Sequence, residues 1–270
     1  MPSTITVAQL SRLVGLPSAP TLIDVRIPDD YQQDARLVPA SCRRDFKTVS
    51  DWAGEFAGQQ VVVICQKGQK LSQGVAAWLR YAGIAAESLE GGFEAWRDAS
   101  ALLVKTESMP IADDKGRTIW VTRARPKVDR IACPWLIRRF VDPHAVFLFV
   151  EAAEVPAVAD RFKATPFDID GVFWSHRGGR CTFDTMIEEF GLASEPLDRL
   201  ALIVRAADTA SLDLVPQAAG FLAASLGLSR MYRNDLEQLD AGMLLYDAFF
   251  RWCRDAVEET HNWPAGGKPS

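Results

Sequence analysis

Histidine and cysteine, the residues that build most structural zinc sites, are sparse in this 270-residue sequence. It has only three histidines and five cysteines, and no two cysteines form a C-x-x-C pair, which excludes the usual closed zinc site. An odd number of widely spaced cysteines also argues against structural disulfides. The cysteines are Cys42, Cys65, Cys133, Cys181 and Cys253.

The sequence also lacks a secretory leader, a long apolar run and an excess of basic charge. The first residues, MPSTIT, contain no basic region followed by an apolar core, and no apolar run approaches membrane-spanning length. We therefore expect a soluble, cytoplasmic protein with no membrane partner. The formal net charge of −5 and the pI of about 5.3 disfavour a nucleic-acid coat, although a local basic patch leaves DNA binding open.

The length favours two domains, and the first is predicted to be α/β. Short apolar runs alternate with helical patterns through residues 1–100, for example at 21–25, 61–64 and 73–81. This alternation predicts a mainly parallel sheet with flanking helices. A ligand site in such a domain is expected at the carboxyl ends of the strands.

The second half is predicted to be an α+β, mostly helical domain over residues 118–260. It follows a polar, turn-forming segment, residues 101–117, which we interpret as a linker. The helix predicted over 235–257 is long and amphipathic, so it either fills the core or forms a homodimer face. The tail, 261–270, is rich in Pro and Gly and is expected to be flexible.

Cys65 is the strongest candidate nucleophile in the sequence. It follows the buried run Val61-Val62-Val63-Ile64 and opens the segment Cys65-Gln66-Lys67-Gly68-Gln69-Lys70, which leads into a helical pattern. A cysteine delivered to a turn before a helix lies near converging backbone N–H groups, and these groups, with Lys67 and Lys70, favour the thiolate. The alternative is an inert buried thiol at a strand end.

The first hundred residues resemble the rhodanese (sulfurtransferase) family. The resemblance rests on Leu22-Ile23-Asp24-Val25-Arg26, on the six-residue Cys65 loop, and on Leu89-Glu90-Gly91-Gly92-Phe93-Glu94-Ala95-Trp96. It implies that Cys65 carries a persulfide between a donor such as thiosulfate and a thiol or cyanide acceptor, with no cofactor required. The substrate-binding residues it implies are Asp24, Arg26, Gln66, Lys67, Gly68, Gln69 and Lys70.

Two features depart from the rhodanese pattern. The loop ends with Lys70 where the family often has arginine, and the usual His-Ile-Pro-Gly-Ala stretch reads Arg36-Leu37-Val38-Pro39-Ala40-Ser41. Lysine keeps the positive charge but lacks the bidentate fork that suits oxyanions, so slow turnover is expected.

A basic cluster follows the first predicted strand of the second half. The cluster has four basic residues within eight positions: Arg123, Arg125, Lys127 and Arg130. Because they follow a predicted strand, they are expected at the carboxyl edge of the sheet, where they could bind an anion. Cys133, which we place near the start of a helix, is expected to have a lowered pKa and to donate electrons to an oxidant. The alternative is that the arginines pair with carboxylates on a solvated face and that Cys133 packs as an apolar group.

Residues 117–260 resemble the C-terminal domain of chromate resistance proteins of the ChrB type. The resemblance rests on the stretch from Trp120 to Arg139 and on Pro166-Phe167-Asp168-Ile169-Asp170-Gly171, Cys181-Thr182-Phe183-Asp184 and Ile203-Val204-Arg205-Ala206-Ala207-Asp208. It implies a role in chromate stress or its sensing. Chromate is a tetrahedral dianion that guanidinium groups such as Arg123, Arg125 and Arg130 could clamp.

A mixed-ligand metal site is also predicted in the second half. The cluster near Gly178-Gly179 consists of Asp168, Asp170, His176, Cys181, Asp184 and Glu188, and the glycines would let a loop fold these side chains around a transition metal. The predicted ligands among them are Asp170, His176, Cys181 and Asp184. The alternative is that Asp184 is a helix N-cap and that His176 is a hydrogen-bonded loop residue.

These features support three hypotheses. The first is a sulfurtransferase linked to chromate or oxyanion resistance. The second is a chromate-responsive sensor or regulator with a non-catalytic first half, and the third is a pair of assembly modules.

Overall fold

The computed structural model describes residues 4–259. The N-terminal half is built on a five-stranded sheet in which every pairing is parallel, so the α/β fold predicted for it is confirmed. The strands occur in the order β1-β5-β4-β2-β3. Their bounds are β1 Thr4–Ile5, β2 Thr21–Asp24, β3 Ser41–Arg43, β4 Gln60–Ile64 and β5 Ala85–Leu89.

Helices cover both faces of this sheet because successive strand residues point to opposite sides. Leu22 and Val62 belong to one apolar cluster, whereas Ile23 and Val63, their neighbours along the strands, belong to another. Runs that are apolar on both faces are typical of buried parallel strands. The helices are α1 Val7–Leu13, α2 Pro28–Gln33, α3 Val49–Trp52, α4 Lys70–Tyr81 and α5 Gly92–Asp98.

The second half combines a small parallel sheet with helices, as predicted. Its three strands, β6 Ile119–Arg123, β7 Val146–Val150 and β8 Thr165–Pro166, have the order β7-β6-β8. A π-helical turn, Ile137–Val141, follows the first helix of this half. The helices are α6 Asp129–Leu136, α7 Val155–Phe162, α8 Thr182–Phe190, α9 Glu195–Asp208, α10 Ala218–Met231 and α11 Asp235–Asp255.

The two halves share one apolar cluster. Gly15, in the loop between α1 and β2, lies so close to Phe140 and Phe250 that a Cβ there would stand 2.5 Å from Phe140 Cζ. The Ala40 amide donates to the Phe140 carbonyl at 2.6 Å. A shared apolar core ties the two halves together more firmly than a polar interdomain contact would.

The segment predicted as a linker begins inside this shared core. Leu103 and Val104 are buried. Val104 exchanges backbone hydrogen bonds with Leu37, and the Lys105 amide donates to the Phe190 carbonyl at 2.9 Å. The start of the segment is therefore part of the packed structure.

Helix α11 contributes a core face, one of the two roles expected for it. Leu239, Met243, Tyr246 and Phe250 are buried, whereas Leu244 is 72% exposed. Homodimer formation stays a prediction. The predicted flexible tail, 261–270, lies outside the described residues, and within 4–259 no helix is long and apolar enough to cross a membrane.

Candidate active site and charged pocket

Cys65 lies directly after β4, the strand that pairs with both β2 and β5. It is followed by an irregular loop and then by α4, which begins at Lys70. The Sγ atom lies 3.1 Å from the Oγ of Ser72, a fully buried residue in the first turn of α4. A hydroxyl at this distance can donate to a thiolate, and the helix N-terminus adds a favourable field.

The Cys65 loop is held by the turn that precedes α5. The Phe93 amide donates to the Cys65 carbonyl at 2.9 Å, and the Glu94 amide donates to the Gln66 carbonyl at 3.0 Å. Gly92 has a φ of +63°, and a Cβ at this residue would stand 2.2 Å from the Cys65 oxygen. Gly68 is equally constrained, because a Cβ there would stand 2.4 Å from the Leu89 carbonyl oxygen. Because Gly68 and Gly92 have no Cβ, the backbone of the Cys65 loop can pack directly against the backbone of the turn before α5.

The polar residues of the loop differ in exposure. Lys67, Gln69 and Lys70 are exposed, and Gln66 is half-buried and donates to Glu94 Oε1 at 3.2 Å. Two exposed lysines on the loop favour an approaching anion.

Asp24 and Arg26, expected to bind substrate, are instead buried and bind each other. Their side chains are 2.7 Å apart, and the Arg26 guanidinium lies 3.7 Å from the centre of the Phe93 ring. Arg26 also donates to the carbonyl oxygens of Asp34 and Arg36. This pair holds neighbouring loops together, so the structure assigns it to the scaffold.

The second half contains a charged pocket of about 410 Å³. Its polar lining comes from the end of β6, the residues before and within the first turn of α6, the loops after β8, and the end of α9. Its charged residues and histidine are Arg123, Lys127, Asp129, Arg130, Asp168, His176 and Asp208.

Of the four basic residues predicted to hold an anion, Arg123, Lys127 and Arg130 line this pocket. Arg125 does not. It adopts a φ of +55° and donates to the carbonyl oxygens of Tyr232 and Ser229 at the end of α10. Its role is to satisfy a helix C-terminus.

Cys133 does not have the environment expected of it. Helix α6 begins at Asp129, so Cys133 lies in the second turn, beyond the strongest part of the helix field. The residue is fully buried, and burial raises the pKa of its thiol well above the usual value. The predicted lowering of the Cys133 pKa is therefore wrong.

Of the four predicted metal ligands only His176 lines the charged pocket, where Asp168 of the wider cluster accompanies it. Cys181 and Asp184 form the N-terminal cap of α8, and Asp184 binds Arg205 at 2.9 Å. Burial raises the pKa of the Cys181 thiol, and Asp170 is exposed. The four predicted ligands therefore do not form one site.

His176 instead contacts three carboxylates, of which the sequence had grouped only Asp168 with it. Its Nε2 lies 3.3 Å from Asp208 Oδ2, 3.4 Å from Asp168 Oδ1 and 3.5 Å from Asp129 Oδ2. Asp168 also lies 3.3 Å from each of Arg123 and Arg130. Asp129 and Asp208 stand at the start of one helix and the end of another, a position that could have marked them as pocket residues.

The carboxylates perturb one another and the imidazole. Hydrogen bonds to Asp129 and Asp168 raise the pKa of His176 to about 10. Burial, together with the charges of Asp129 and Asp168, raises the pKa of Asp208 to about 7. Burial opposes ionisation of Asp168, but hydrogen bonds from His176 and Thr182 and the charges of both arginines outweigh it and lower its pKa.

Comparison with known proteins identifies both halves. The family model described as "Rhodanese-like domain" matches residues 6–99, and the model described as "ChrB, C-terminal domain" matches residues 120–253. The first half, with its parallel sheet and cysteine loop, is a rhodanese-like domain. The chain as a whole joins this domain to a ChrB C-terminal domain.

One curated relative is Protein ChrB of Cupriavidus metallidurans, which is 38% identical over 132 residues. The match covers 48% of this chain and 39% of that protein, so the chain spans well under half of the relative's length.

Solved structures resemble the first half. A rhodanese-related protein from Thermoplasma volcanium is 22% identical, with 37% of this chain and 96% of that chain covered and a TM-score of 0.33. A rhodanese-like domain protein from Staphylococcus aureus is 28% identical, with 36% and 91% covered and a TM-score of 0.31.

Proposed function

We propose that the first domain is a sulfurtransferase that carries sulfane sulfur as a persulfide on Cys65. The observation that supports this most directly is the placement of Cys65 at the end of a central strand, with a buried hydroxyl 3.1 Å from its sulfur and a helix N-terminus behind it. A hydroxyl donor and the N-terminus of a helix beside the sulfur suit a cysteine that acts as a nucleophile.

With thiosulfate as donor, the Cys65 thiolate attacks the outer sulfur. A new S–S bond forms, the S–S bond of thiosulfate breaks, and sulfite leaves with the electron pair. An acceptor thiolate or cyanide then attacks the terminal sulfur of the persulfide, which releases the product and restores the Cys65 thiolate. The dianionic donor is attracted by Lys67 and Lys70, and the lack of a guanidinium fork on this loop makes its orientation looser.

The second domain is proposed to bind a tetrahedral oxyanion such as chromate, as the name of its family suggests. Arg123, Lys127 and Arg130 provide cationic donors in one pocket. Cys133 and Cys181 are buried thiols with raised pKa values, which favours binding over electron donation by these cysteines. This supports a sensing role for the second domain alongside the sulfur transfer in the first.

The sulfur transfer is tested by thiosulfate:cyanide sulfurtransferase activity of the full chain. Cys65→Ser is expected to abolish thiocyanate formation, whereas Cys42→Ser, the change of a half-buried cysteine outside the loop, is expected to leave most of it. A wild-type chain without activity would contradict the thiosulfate proposal. Equal activity in the Cys65→Ser variant would remove Cys65 from the mechanism.

The oxyanion site is tested by calorimetric titration of the full chain with chromate and with sulfate. Arg130→Gln is expected to weaken binding at least tenfold, since a charge-assisted hydrogen bond contributes about 1.5–3 kcal/mol. Arg161→Gln, a change on the exposed side of α7, serves as the matched control. Unchanged affinity in Arg130→Gln would place the anion elsewhere.

A further inference from the structure

We propose that Asp129, His176 and Asp208 form a binding site for a divalent transition-metal ion. One donor atom from each residue lies within 4.8 Å of the other two. His176 Nε2 is 3.3 Å from Asp208 Oδ2 and 3.5 Å from Asp129 Oδ2. Ligands about 2.0–2.2 Å from an ion lie roughly 3–3.5 Å from one another, so a small shift would place all three around a metal.

A second observation, the environment of Asp129, also supports a cation at this position. Asp129 is 1% exposed, and its Oδ1 has no hydrogen-bond partner within residues 4–259. Its Oδ2 accepts a hydrogen bond from the Thr182 amide at 2.6 Å. A buried, unpartnered carboxylate oxygen is costly, and a metal ion would supply the partner it lacks.

The arginines of the pocket do not supply the cation that would pair with Asp129. Arg123 and Arg130 both bind Asp168, which also accepts a hydrogen bond from the Thr182 hydroxyl at 2.9 Å. Within the described part of the chain, the ion pairs of Asp129 and Asp208 are made to His176 alone. Two carboxylates and one imidazole thus match the charge and donor type of a divalent ion such as Mn²⁺ or Zn²⁺.

A bound metal ion would also make the pocket more positive and so change which ligands it attracts. Three basic residues and three aspartates line it, so its fixed charges nearly cancel. An ion bound by three protein ligands keeps open positions, and Arg123, Lys127 and Arg130 stand beside them. An oxyanion could then coordinate the metal while it accepts hydrogen bonds from these side chains. The metal site itself requires neither sulfur transfer nor anion binding.

Direct binding of Mn²⁺ to the chelator-treated full chain tests the proposal. Mn²⁺ is the discriminating probe because carboxylates suit it, whereas thiolates such as those of the free cysteines do not. We expect one Mn²⁺ per chain by calorimetry and by metal analysis after dialysis. Asp208→Asn is expected to weaken Mn²⁺ binding at least tenfold, and Asp213→Asn, a change of a nearby exposed carboxylate, is expected to leave it unchanged.

His176→Gln is the second variant. It separates a loss of metal binding from a folding defect in the Asp208→Asn variant. It is expected to weaken Mn²⁺ binding at least tenfold while the circular dichroism spectrum stays that of the wild type. Absence of one-to-one binding in the wild type would overturn the proposal, and so would equal affinity in both folded variants. Either result would leave His176 as the ion-pair partner of Asp129 and Asp208 within the described residues.

Discussion

The sulfur of Cys65 lies 3.1 Å from the hydroxyl oxygen of Ser72, which is itself 3.3 Å from the Gln69 carbonyl oxygen. The hydroxyl has one proton, so it donates either to the carbonyl or to the sulfur. Ionisation of Cys65 favours donation to sulfur. Ser72 is therefore expected to act as a positioning residue for the thiolate.

Ser72→Ala is predicted to lower sulfurtransferase activity at least tenfold, because a hydrogen bond to a charged group contributes roughly 1.5–3 kcal/mol. Ser72→Thr keeps the hydroxyl and should restore most of the activity. The measurement is kcat and KM for thiosulfate. Ser50→Ala, a change at an exposed serine, is the control, and an equal loss in Ser72→Thr and Ser72→Ala would indicate a purely structural effect.

Gly92→Ala is predicted to disrupt the Cys65 loop. The new Cβ would stand 2.2 Å from the Cys65 carbonyl oxygen and 2.3 Å from the Gly68 nitrogen, at a φ of +63°. We expect a loss of more than 100-fold in activity and of about 2 kcal/mol or more in the free energy of unfolding. Both are measured on the full chain, by assay and by denaturant titration.

Gly74→Ala is the matched control for the Gly92 change. Gly74 lies inside α4, and a Cβ there would meet no atom within 4 Å. Alanine in an exposed helix interior should stabilise the chain by about 0.5–1 kcal/mol. If Gly74→Ala and Gly92→Ala lowered the free energy of unfolding by similar amounts, the close backbone contact at Gly92 would not explain the loss.

The cysteines are predicted to differ sharply in their reaction with iodoacetamide. Burial raises the pKa of Cys133 and Cys181, and it raises the pKa of Cys253 to about 11. These three should stay unmodified at pH 7.5 while the chain is folded. Cys65, which is 4% exposed but lies on the loop that the proposed sulfur donor must reach, should be labelled before them, as should the half-buried Cys42. Peptide mass spectrometry gives the order, and labelling in guanidinium shows that every cysteine peptide is detectable. Rapid labelling of Cys133 would contradict its burial.

Asp247→Ala is predicted to destabilise the chain by about 3 kcal/mol. Asp247 accepts hydrogen bonds at 2.8 Å from Trp135 Nε1 and from two nitrogens of Arg139, and its loss leaves these donors without their partner. Asp240, two turns earlier on α11, binds Arg138 at 3.2 Å but has a 73% exposed side chain. Asp240→Ala should cost under about 1 kcal/mol. Denaturant titration compares the two, and equal losses would contradict the role of burial.

The parts of the structure that depend on local sequence were predictable. The Val61–Ile64 run and the helical pattern after Gln73 placed Cys65 between a strand and a helix, and the structure has both elements. Helix starts were harder to place. Cys133 was placed near the start of a helix, but α6 begins at Asp129, and this shift of one turn removed the helix field that was expected to act on Cys133.

The charged pocket was harder to predict because its members are distant in sequence. Asp129, His176 and Asp208 come from separate elements, and only the packing of α6, α8 and α9 brings them together. The same limit applies to Arg26, whose family motif indicated a binding role. Its ring contact and carbonyl partners come from segments that the motif does not contain.

The contact of Gly15 with Phe140 and Phe250 makes the two domains one structural unit. Cutting the chain between residues 104 and 118 would expose, on each piece, apolar surface that the other piece now covers. The Cys65 loop and the charged pocket are therefore made in a fixed one-to-one ratio and are translated and degraded together. A change in the amount of one domain is automatically an equal change in the amount of the other.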